Sequence, residues 1–574
     1  MWHRYTTELQ QTVFDALSRA AARGASVVTL DDVCAALRNG RDSHSVRIFS
    51  RFGIPTSSSA QQKDPAVFPA SLALDRDAAG ALRHATDEAI ATGELRIGSE
   101  HLLLAVLRDA NARAGLNGAA ISYRQAHAAA RDFRRHGWDA PPPSLLGRPL
   151  RHLSGLIKVA SAKAQLAKKV YLQHSIANPR FISDPYPLYA RLRAEGLRRD
   201  PLMQFWIATR YDDVAAVLRD PRFVRDVNKF IPADVSRERL PAAIRSELCP
   251  IPEHLSQTML LQDPPRHTRL RALVSAAFTP RAIADMHGRI QQISDELLDA
   301  VAARGEMDLI GDFAYPLPTI VIAEMLGVPI KDRDKLKVWS DEVSGLLTTT
   351  STLAEDVRGA AAMSALHHFF SATVAARRAR SDNSLLSALV SAEAAGEKLS
   401  EMELYSNAIL LLAAGHETTT NLIGNGIFAL LQNPEQLRKL RDDSGLMPAA
   451  IEELLRYDSP AQWTGRTANE DVELHGTRIK RGEMIILGLG SSNRDPKYFS
   501  DPDRLDLARA DNRHLSFGAG IHFCLGAALA RMEGAIAIGT LLRRFPNLSL
   551  PRQKIVRRKS RPLRGLAALK VVWR

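Results

Sequence analysis

Residues 517–526 read Phe-Gly-Ala-Gly-Ile-His-Phe-Cys-Leu-Gly, a glycine-spaced loop that ends just before the helix-forming residues 527–530. A thiolate at Cys524 would be stabilised by the positive end of that helix and by backbone N–H groups of the loop. The glycines would let the backbone approach a flat ligand that a Cβ would obstruct. A structural cysteine beside a turn is the alternative. The fixed offsets of the glycines, the aromatic residue and the histidine favour a ligand-binding loop.

A cysteine thiolate on haem iron favours cleavage of the O–O bond over reversible binding of O₂. The pattern Phe-Gly-x-Gly-x-His-x-Cys-x-Gly resembles the haem-binding loop of the cytochrome P450 family in its bacterial form. The resemblance implies that Cys524 is the axial ligand of the haem iron. It also implies that Phe517 and Gly518 contact the cofactor, which would be haem b (iron-protoporphyrin IX).

A long helical pattern runs from residue 401 to residue 432, roughly 45 Å if it is continuous at about 1.5 Å per residue. Its middle, residues 413–421, reads Ala-Ala-Gly-His-Glu-Thr-Thr-Thr-Asn. A glycine loosens a helix, and threonines compete for its carbonyl groups. The segment therefore predicts a local groove against which dioxygen can lie. A solvent-facing polar patch is the alternative.

This segment resembles the family's Ala-Gly-x-Glu/Asp-Thr motif, with His416 at the variable position. The resemblance implies that Ala414 and Gly415 line the oxygen groove. It implies that Thr418 hydrogen-bonds the bound dioxygen and that Glu417 relays protons, which heterolysis of the O–O bond requires.

Four side chains are expected to hold the two haem propionates. His267 and Arg271 lie four positions apart on one face of a helix that follows the Asp-Pro-Pro sequence at 263–265. An arginine with a second donor binds paired carboxylates effectively. The family also uses the arginine of an Arg-x-Ala segment and the histidine two before the cysteine, here Arg466 and His522. Each alone is compatible with a surface residue, but the four in the family's order favour propionate binding.

A buried ion network is expected behind the cofactor. Glu453 and Arg456 lie three positions apart on one helical face, within pairing distance, although most such pairs lie on surfaces. In the family a later arginine closes this Glu-x-x-Arg pair, and Arg504 is the candidate. We assign this network a structural role.

The resemblance covers residues 176–574 and implies the cytochrome P450 fold, mainly α with small β-sheets. Strand-like segments lie at 205–208, 477–479 and 483–487, and residues 561–566 resemble the family's terminal hairpin. Trp463 would narrow the substrate site if its side chain points inward.

Residues 1–140 are helical in character and contain an internal repeat, in which residues 27–37 match residues 97–107. In each copy a Ser or Thr is placed to cap the next helix, and two copies suggest a pseudo-twofold bundle. The second copy resembles the N-terminal repeat domain of Clp-type ATPase chaperones, which binds adaptors or protein substrates. We expect a small all-α domain that recognises a protein partner, joined to the second domain by a Pro-rich and basic linker at 141–175.

The net charge of +13 does not indicate nucleic-acid binding, because the excess lies outside the body of the second domain. Residues 141–175 carry 6 basic and no acidic residues, residues 551–574 carry 9 and none, and residues 176–550 carry a net charge of −4. A solvated linker and tail are favoured over contact with a polyanion or a membrane surface.

The cysteines number 3 and lie far apart, which argues against a disulfide framework and for a reducing compartment. The first residues contain no apolar signal segment, and the longest apolar run, 408–414, is too short to span a bilayer. We expect a cytoplasmic protein with no transmembrane segment.

Together the motifs imply a haem-thiolate monooxygenase that inserts one oxygen atom from O₂ into a lipophilic small molecule. No flavin-binding or cysteine-cluster segment is visible, so electrons are expected from a separate ferredoxin or flavodoxin with its NAD(P)H reductase. One alternative is a haem-bound sensor or scaffold that recruits a protein through the N-terminal domain. Another is a haem-thiolate isomerase, dehydratase or peroxygenase. The intact Glu417–Thr418 pair argues against both.

Overall fold

The computed structural model describes residues 7–39 except 24 and 26, short segments between 48 and 130, and residues 176–226 and 257–573 with short gaps. The described residues fall in two compact units: the first comprises those before residue 150 and residues 353–364, and the second comprises the others from 176 onward. The predicted linker at 141–175 lies outside the described residues. Among the helices described, none combines the length and apolar character needed to cross a bilayer.

The first unit is helical and has its own apolar core. Its helices are α1 (Thr7–Ala22), α2 (Leu30–Asn39) and α3 (Ser99–Arg108). The short strand β1 (Val27–Val28) pairs in parallel with β2 (Ala73–Leu74). The prediction of a helical first domain is confirmed, and the structure adds the pair of two-residue strands β1 and β2.

Residue Asp32 fixes the start of helix α2. Its carboxylate accepts a hydrogen bond from the Thr29 backbone N–H at 2.9 Å and pairs with Arg23. The sequence predicts a Ser or Thr just before this helix, and Thr29 is the residue that precedes Leu30, the first residue of α2. Cys34 lies in the core, where burial raises the pKa of its thiol to about 12. This thiol is therefore a structural one.

The second unit is built mainly from helices, with small sheets at its periphery. Its helices are α4 (Arg180–Ser183), α5 (Tyr186–Glu195), α6 (Tyr211–Arg219), α7 (Arg266–Ala277), α8 (Pro280–Asp285), α9 (His287–Ala302), α10 (Pro316–Met325), α11 (Arg333–Leu346), α12 (Leu353–Ala379), α13 (Leu385–Ser391), α14 (Glu401–Gln432), α15 (Pro434–Asp442), α16 (Met447–Tyr457), α17 (Leu489–Ser492) and α18 (Ala527–Arg544). Its strands are β3 (Arg198–Arg199), β4 (Trp206–Ala208), β5 (Phe223–Val224), β6 (Glu306–Asp308), β7 (Glu393–Ala394), β8 (Glu397–Lys398), β9 (Thr464–Ala468), β10 (Val472–Leu474), β11 (Thr477–Ile479), β12 (Met484–Leu487), β13 (Val556–Arg557), β14 (Leu566–Ala568) and β15 (Lys570–Val572).

The largest sheet has the strand order β3-β4-β12-β9-β5. Strand β12 pairs in parallel with β4 and antiparallel with β9, whose register places Arg466 opposite Ile485. Strand β5 pairs antiparallel with β9 on the other side, with Val224 opposite Thr467. The strands predicted at 205–208, 477–479 and 483–487 are confirmed as β4, β11 and β12, and β4 and β12 each begin one residue later than predicted. This sheet holds Arg466 in a fixed position beside β5.

Helix α14 has the bounds that its hydrophobic pattern predicts. Ser400 and Glu403 form a reciprocal capping box at its start, with N–H···O distances of 3.3 Å and 3.0 Å. The helix is continuous through Gly415, and it contacts α10, α16, α18 and the π-helical turn Leu309–Ala314. Most of its side chains are buried, so it forms the central axis of the second unit.

Trp463 points into the protein core. Its ring stacks on Phe181 with a centroid distance of 5.1 Å, and only 7% of the residue is exposed. It belongs to an apolar cluster that includes Tyr189 and Ile207. Its indole therefore stabilises the packing of α4 and α5 against the sheet.

The buried ion network uses a different arginine from the one predicted. Both oxygens of the Glu453 carboxylate accept from Arg456, at 2.7 and 2.8 Å. The third member is Arg509, whose Nε lies 3.2 Å from the same carboxylate. The prediction of Arg504 is wrong: a turn from Asp501 exposes its side chain and directs its carbonyl oxygen to Arg456 at 3.1 Å. Arg504 therefore contributes a backbone acceptor.

The network generates a prediction with a matched control. We expect Arg509→Ala to lower the free energy of unfolding by about 2 kcal/mol, because a charge-assisted bond to a fully buried carboxylate is lost. Arg504→Ala removes an exposed side chain and should change it by less than about 0.5 kcal/mol. Urea unfolding of both variants, followed by circular dichroism, measures the difference. Equal shifts in the two variants would contradict the assignment.

Candidate active site

The loop that carries Cys524 is closed by its own backbone. The Cys524 N–H donates to the Phe517 carbonyl at 3.0 Å. Gly518 and Gly520 have φ values of +69° and +70°, a region that side-chain-bearing residues rarely adopt. A Cβ at position 520 would also lie 2.3 Å from the Leu218 carbonyl oxygen. The positive φ therefore requires glycine at both 518 and 520, and the close approach to Leu218 is a second requirement at 520.

The Cys524 side chain is exposed at the surface of this loop. The pKa of its thiol is raised overall, because desolvation by the surrounding atoms outweighs the Gly526 N–H and the charges of Arg271 and Arg531, which lower it. Arg531 also lies over the Phe517 ring, 4.5 Å from its centroid. The N–H donor and the two cations are the groups that would stabilise the thiolate once it binds a metal ion.

The middle of helix α14 presents one accessible face. Ala414 is exposed and Gly415 and Thr418 are half-exposed, although the helix is otherwise largely buried. The Thr418 hydroxyl donates to the Ala414 carbonyl at 3.1 Å. These three residues share one face because they lie one and four positions apart. The structure thus brings together the residues predicted to line the groove, while their role toward dioxygen stays a prediction.

Glu417 is paired with an arginine that sequence reasoning missed. Its carboxylate is buried, and its Oε1 lies 3.5 Å from Nη1 of Arg558, which follows strand β13. Arg558 also acts electrostatically on Asp341. The separation of 141 positions leaves no local pattern that could have indicated this pair.

His416 links this region to helix α11. Its Nδ1 lies 3.0 Å from the Leu412 carbonyl oxygen and its Nε2 lies 3.1 Å from the Asp341 carboxylate. Burial raises the pKa of Asp341, but the hydrogen bond and charge of His416 outweigh it and lower the pKa overall. His416 therefore joins helix α14 to a partly exposed carboxylate, one residue from Glu417.

The four predicted propionate donors form one cluster of two arginines and two histidines. The rings of His267 and His522 lie 4.3 Å apart. Burial lowers the pKa of His522 to about 2, and the charges of Arg466, Arg225, His267 and Arg271 act in the same direction.

Both histidines of the cluster have ring nitrogens available for a ligand. In the described part of the protein, both ring nitrogens of His267 and Nε2 of His522 are buried without a hydrogen-bond partner. Orphaned donors in a field of positive charge fit an anionic ligand. The residues present therefore fit the carboxylates of a haem.

Two family models and several known proteins match this chain. The family described as "Cytochrome P450" matches residues 214–570, and the "Clp repeat (R) N-terminal domain" matches residues 4–116. Cytochrome P450 CYP107DY1 of Priestia megaterium is 45% identical over 374 residues, 64% of this chain and 89% of that protein. Vitamin D(3) 25-hydroxylase of Pseudonocardia autotrophica is 42% identical over 410 residues, 70% of this chain and 96% of that protein.

A solved structure shows the same fold. The crystal structure of P450BioI, in complex with an acyl carrier protein that carries hexadec-9Z-enoic acid, has a TM-score of 0.63 and 38% identity. The match covers 69% of this chain and 100% of that one. With a Clp repeat domain in front, the chain belongs to the cytochrome P450 family of haem monooxygenases.

Proposed function

We propose that this enzyme inserts one oxygen atom from O₂ into a lipophilic small molecule, with haem b as its cofactor. The observation that carries the proposal is the accessible face of α14, where Thr418 adjoins the buried Glu417. Binding alone needs neither a hydroxyl nor an acid at this place, so the pair favours oxygen activation over a sensor or scaffold. The same pair disfavours an isomerase, dehydratase or peroxygenase.

Cys524 would hold the haem iron, and His267, Arg271, Arg466 and His522 would hold its propionates. Bound haem supplies the iron at which O₂ is activated. Thr418 can turn its hydroxyl from the Ala414 carbonyl toward a ligand on the accessible face.

Charged and polar contacts link Glu417 to the surface. Asp341 keeps 31% of its side chain exposed and contacts the buried His416. Arg558 pairs with Glu417 and acts on Asp341, so one cation connects the exposed carboxylate with the buried one. Glu417 can hold a proton on its carboxylate and pass it toward Thr418.

The lipophilic character of the substrate is supported by the relatives. One is named for hydroxylation of vitamin D(3), and another is seen with a hexadecenoic acid carried on an acyl carrier protein. The substrate assigned to this chain is therefore a lipid, free or carrier-bound.

We assign the electron supply to a separate ferredoxin or flavodoxin with an NAD(P)H reductase. The exposed side chains of Ile521 and Phe523 support this, because both lie in the loop just before the cysteine, with 49% and 42% exposure. Apolar residues exposed together mark a protein contact. A cytoplasmic location accords with the free thiols of Cys34 and Cys524.

The proton-handling role is tested by a pair of isosteric variants. We expect Thr418→Val to lower product formed per NAD(P)H consumed roughly tenfold or more, because a positioned acid–base group contributes about 10²–10⁴-fold. Thr420→Val is the control, since that hydroxyl is buried and donates to the His416 carbonyl at 2.9 Å. Product, O₂ and NAD(P)H are measured with a substrate that shifts the haem spectrum and a surrogate redox partner. If Thr418→Val formed as much product per NAD(P)H as the wild type, the proton-handling role of Thr418 would be contradicted.

We also propose that residues 1–140 form a recognition domain for a protein partner, joined by a linker at 141–175 to a haem domain at 176–574. The Clp repeat match at 4–116 supports this, as does the separate core of the first unit. Deletion of residues 1–140 should leave haem uptake per protein unchanged, as measured by the ratio of Soret to protein absorbance. An insoluble, haem-free product would show that the first domain is structural for the second.

A further inference from the structure

Arg225, directly after strand β5, lies at the propionate cluster but is absent from the four predicted donors. Its Nε donates to the Leu260 carbonyl at 3.1 Å. Its Nη1 donates to the Thr464 hydroxyl at 3.0 Å and to the Gly465 carbonyl at 3.2 Å. The guanidinium therefore reaches across the sheet to the start of β9, which carries Arg466.

Arg225 and Arg466 share the same two acceptors. Nη1 of Arg466 lies 2.8 Å from the Gly465 carbonyl oxygen and 3.4 Å from the Thr464 hydroxyl. Two guanidinium groups thus lie side by side on uncharged oxygens. Burial and the charge of Arg225 lower the pKa of Arg466 to about 9, and burial lowers that of Arg225 to about 10. One arginine would be enough to donate to both the Thr464 hydroxyl and the Gly465 carbonyl. These two hydrogen bonds therefore do not explain why a second arginine is present.

Among the residues that the structure describes, the positive charge here exceeds the negative charge that acts on it. Within that set Asp263 is the carboxylate that acts on both arginines, and its oxygens accept the backbone N–H groups of Arg225 at 2.8 Å and Asp226 at 3.2 Å. Burying like charges without a matched anion is unfavourable. An anion brought by a ligand would supply the missing charge.

We propose that Arg225 and Arg466 together clamp one haem propionate carboxylate, so that Arg225 is a fifth propionate-binding residue. This rests on the proposed haem site. The guanidinium of Arg225 keeps its carbonyl partners through Nε and Nη1 and turns Nη2 to the carboxylate, a planar fork suited to such an anion. Arg225 is thus a positioning residue that retains haem.

The test compares two haems in one holoprotein. Wild type, Arg225→Met, Arg225→Lys and Arg222→Met are each loaded with haem or with haem dimethyl ester, whose propionates carry no charge. Haem release to excess apomyoglobin is then timed. Arg222 is the matched control, because its exposed side chain pairs with Asp220 at 2.7 Å.

With native haem, Arg225→Met should release haem roughly tenfold faster or more, as expected for loss of a charge-assisted hydrogen bond. Arg225→Lys should release haem at a rate between those of Arg225→Met and the wild type. Arg222→Met should release haem at the wild-type rate. With the dimethyl ester, Arg225→Met should match the wild type.

Two outcomes would overturn the proposal: unchanged release of native haem, or equal acceleration with both haems, which would show a structural role. The thiolate Soret band of the wild type in the same samples reports the haem site itself. A wild type without that band would mean that the haem assignment fails, whatever Arg225 does.

Discussion

The conformation of the Cys524 loop depends on a close contact between its own backbone at Gly520 and the backbone of Leu218. At Gly520 the chain passes so near the Leu218 carbonyl that a Cβ would lie 2.3 Å from its oxygen. This contact ties the loop to the end of helix α6, while the Cys524 N–H closes the loop on Phe517 at 3.0 Å. Because both constraints lie in the backbone, the position of the Cys524 main chain does not depend on the side chains around it. The cations that act on the thiol, Arg271 and Arg531, are positioned around a loop that is already rigid.

The buried arginines of the second unit fall into two kinds. One kind is neutralised by carboxylates: burial raises the pKa of Asp458, but Arg564 and Arg557 outweigh it and lower the pKa to about 2. Such clusters hold the fold, since both charges are paired. The other kind is the cluster around His522, where the charges of nearby arginines lower the pKa of the histidine. Among the described residues, ring nitrogens of His267 and His522 have no hydrogen-bond partner. An unbalanced cluster of this kind identifies where a charged ligand belongs, and a paired cluster does not.

Local patterns predicted much of this arrangement. The bounds of α14 and three of the strands follow from periodicity and turn signals, whereas the propionate donors are what the resemblance to the family implies. The errors and omissions involve residues far apart in sequence. Arg509 takes the place predicted for Arg504 because a backbone turn decides which guanidinium reaches Glu453. Arg558 and Arg225 have no local signal, since each acquires its role from a strand that brings it to a distant element.

The central claim is that Cys524 provides a thiolate to haem iron. The direct test is the absorption spectrum of the reduced, carbon monoxide-bound protein, with Cys524→Ser compared against Cys34→Ser, which removes the buried thiol of the first unit. We expect the wild type and Cys34→Ser to show the red-shifted Soret band of a thiolate ligand and Cys524→Ser to lose it. The same red-shifted band in Cys524→Ser would contradict the account.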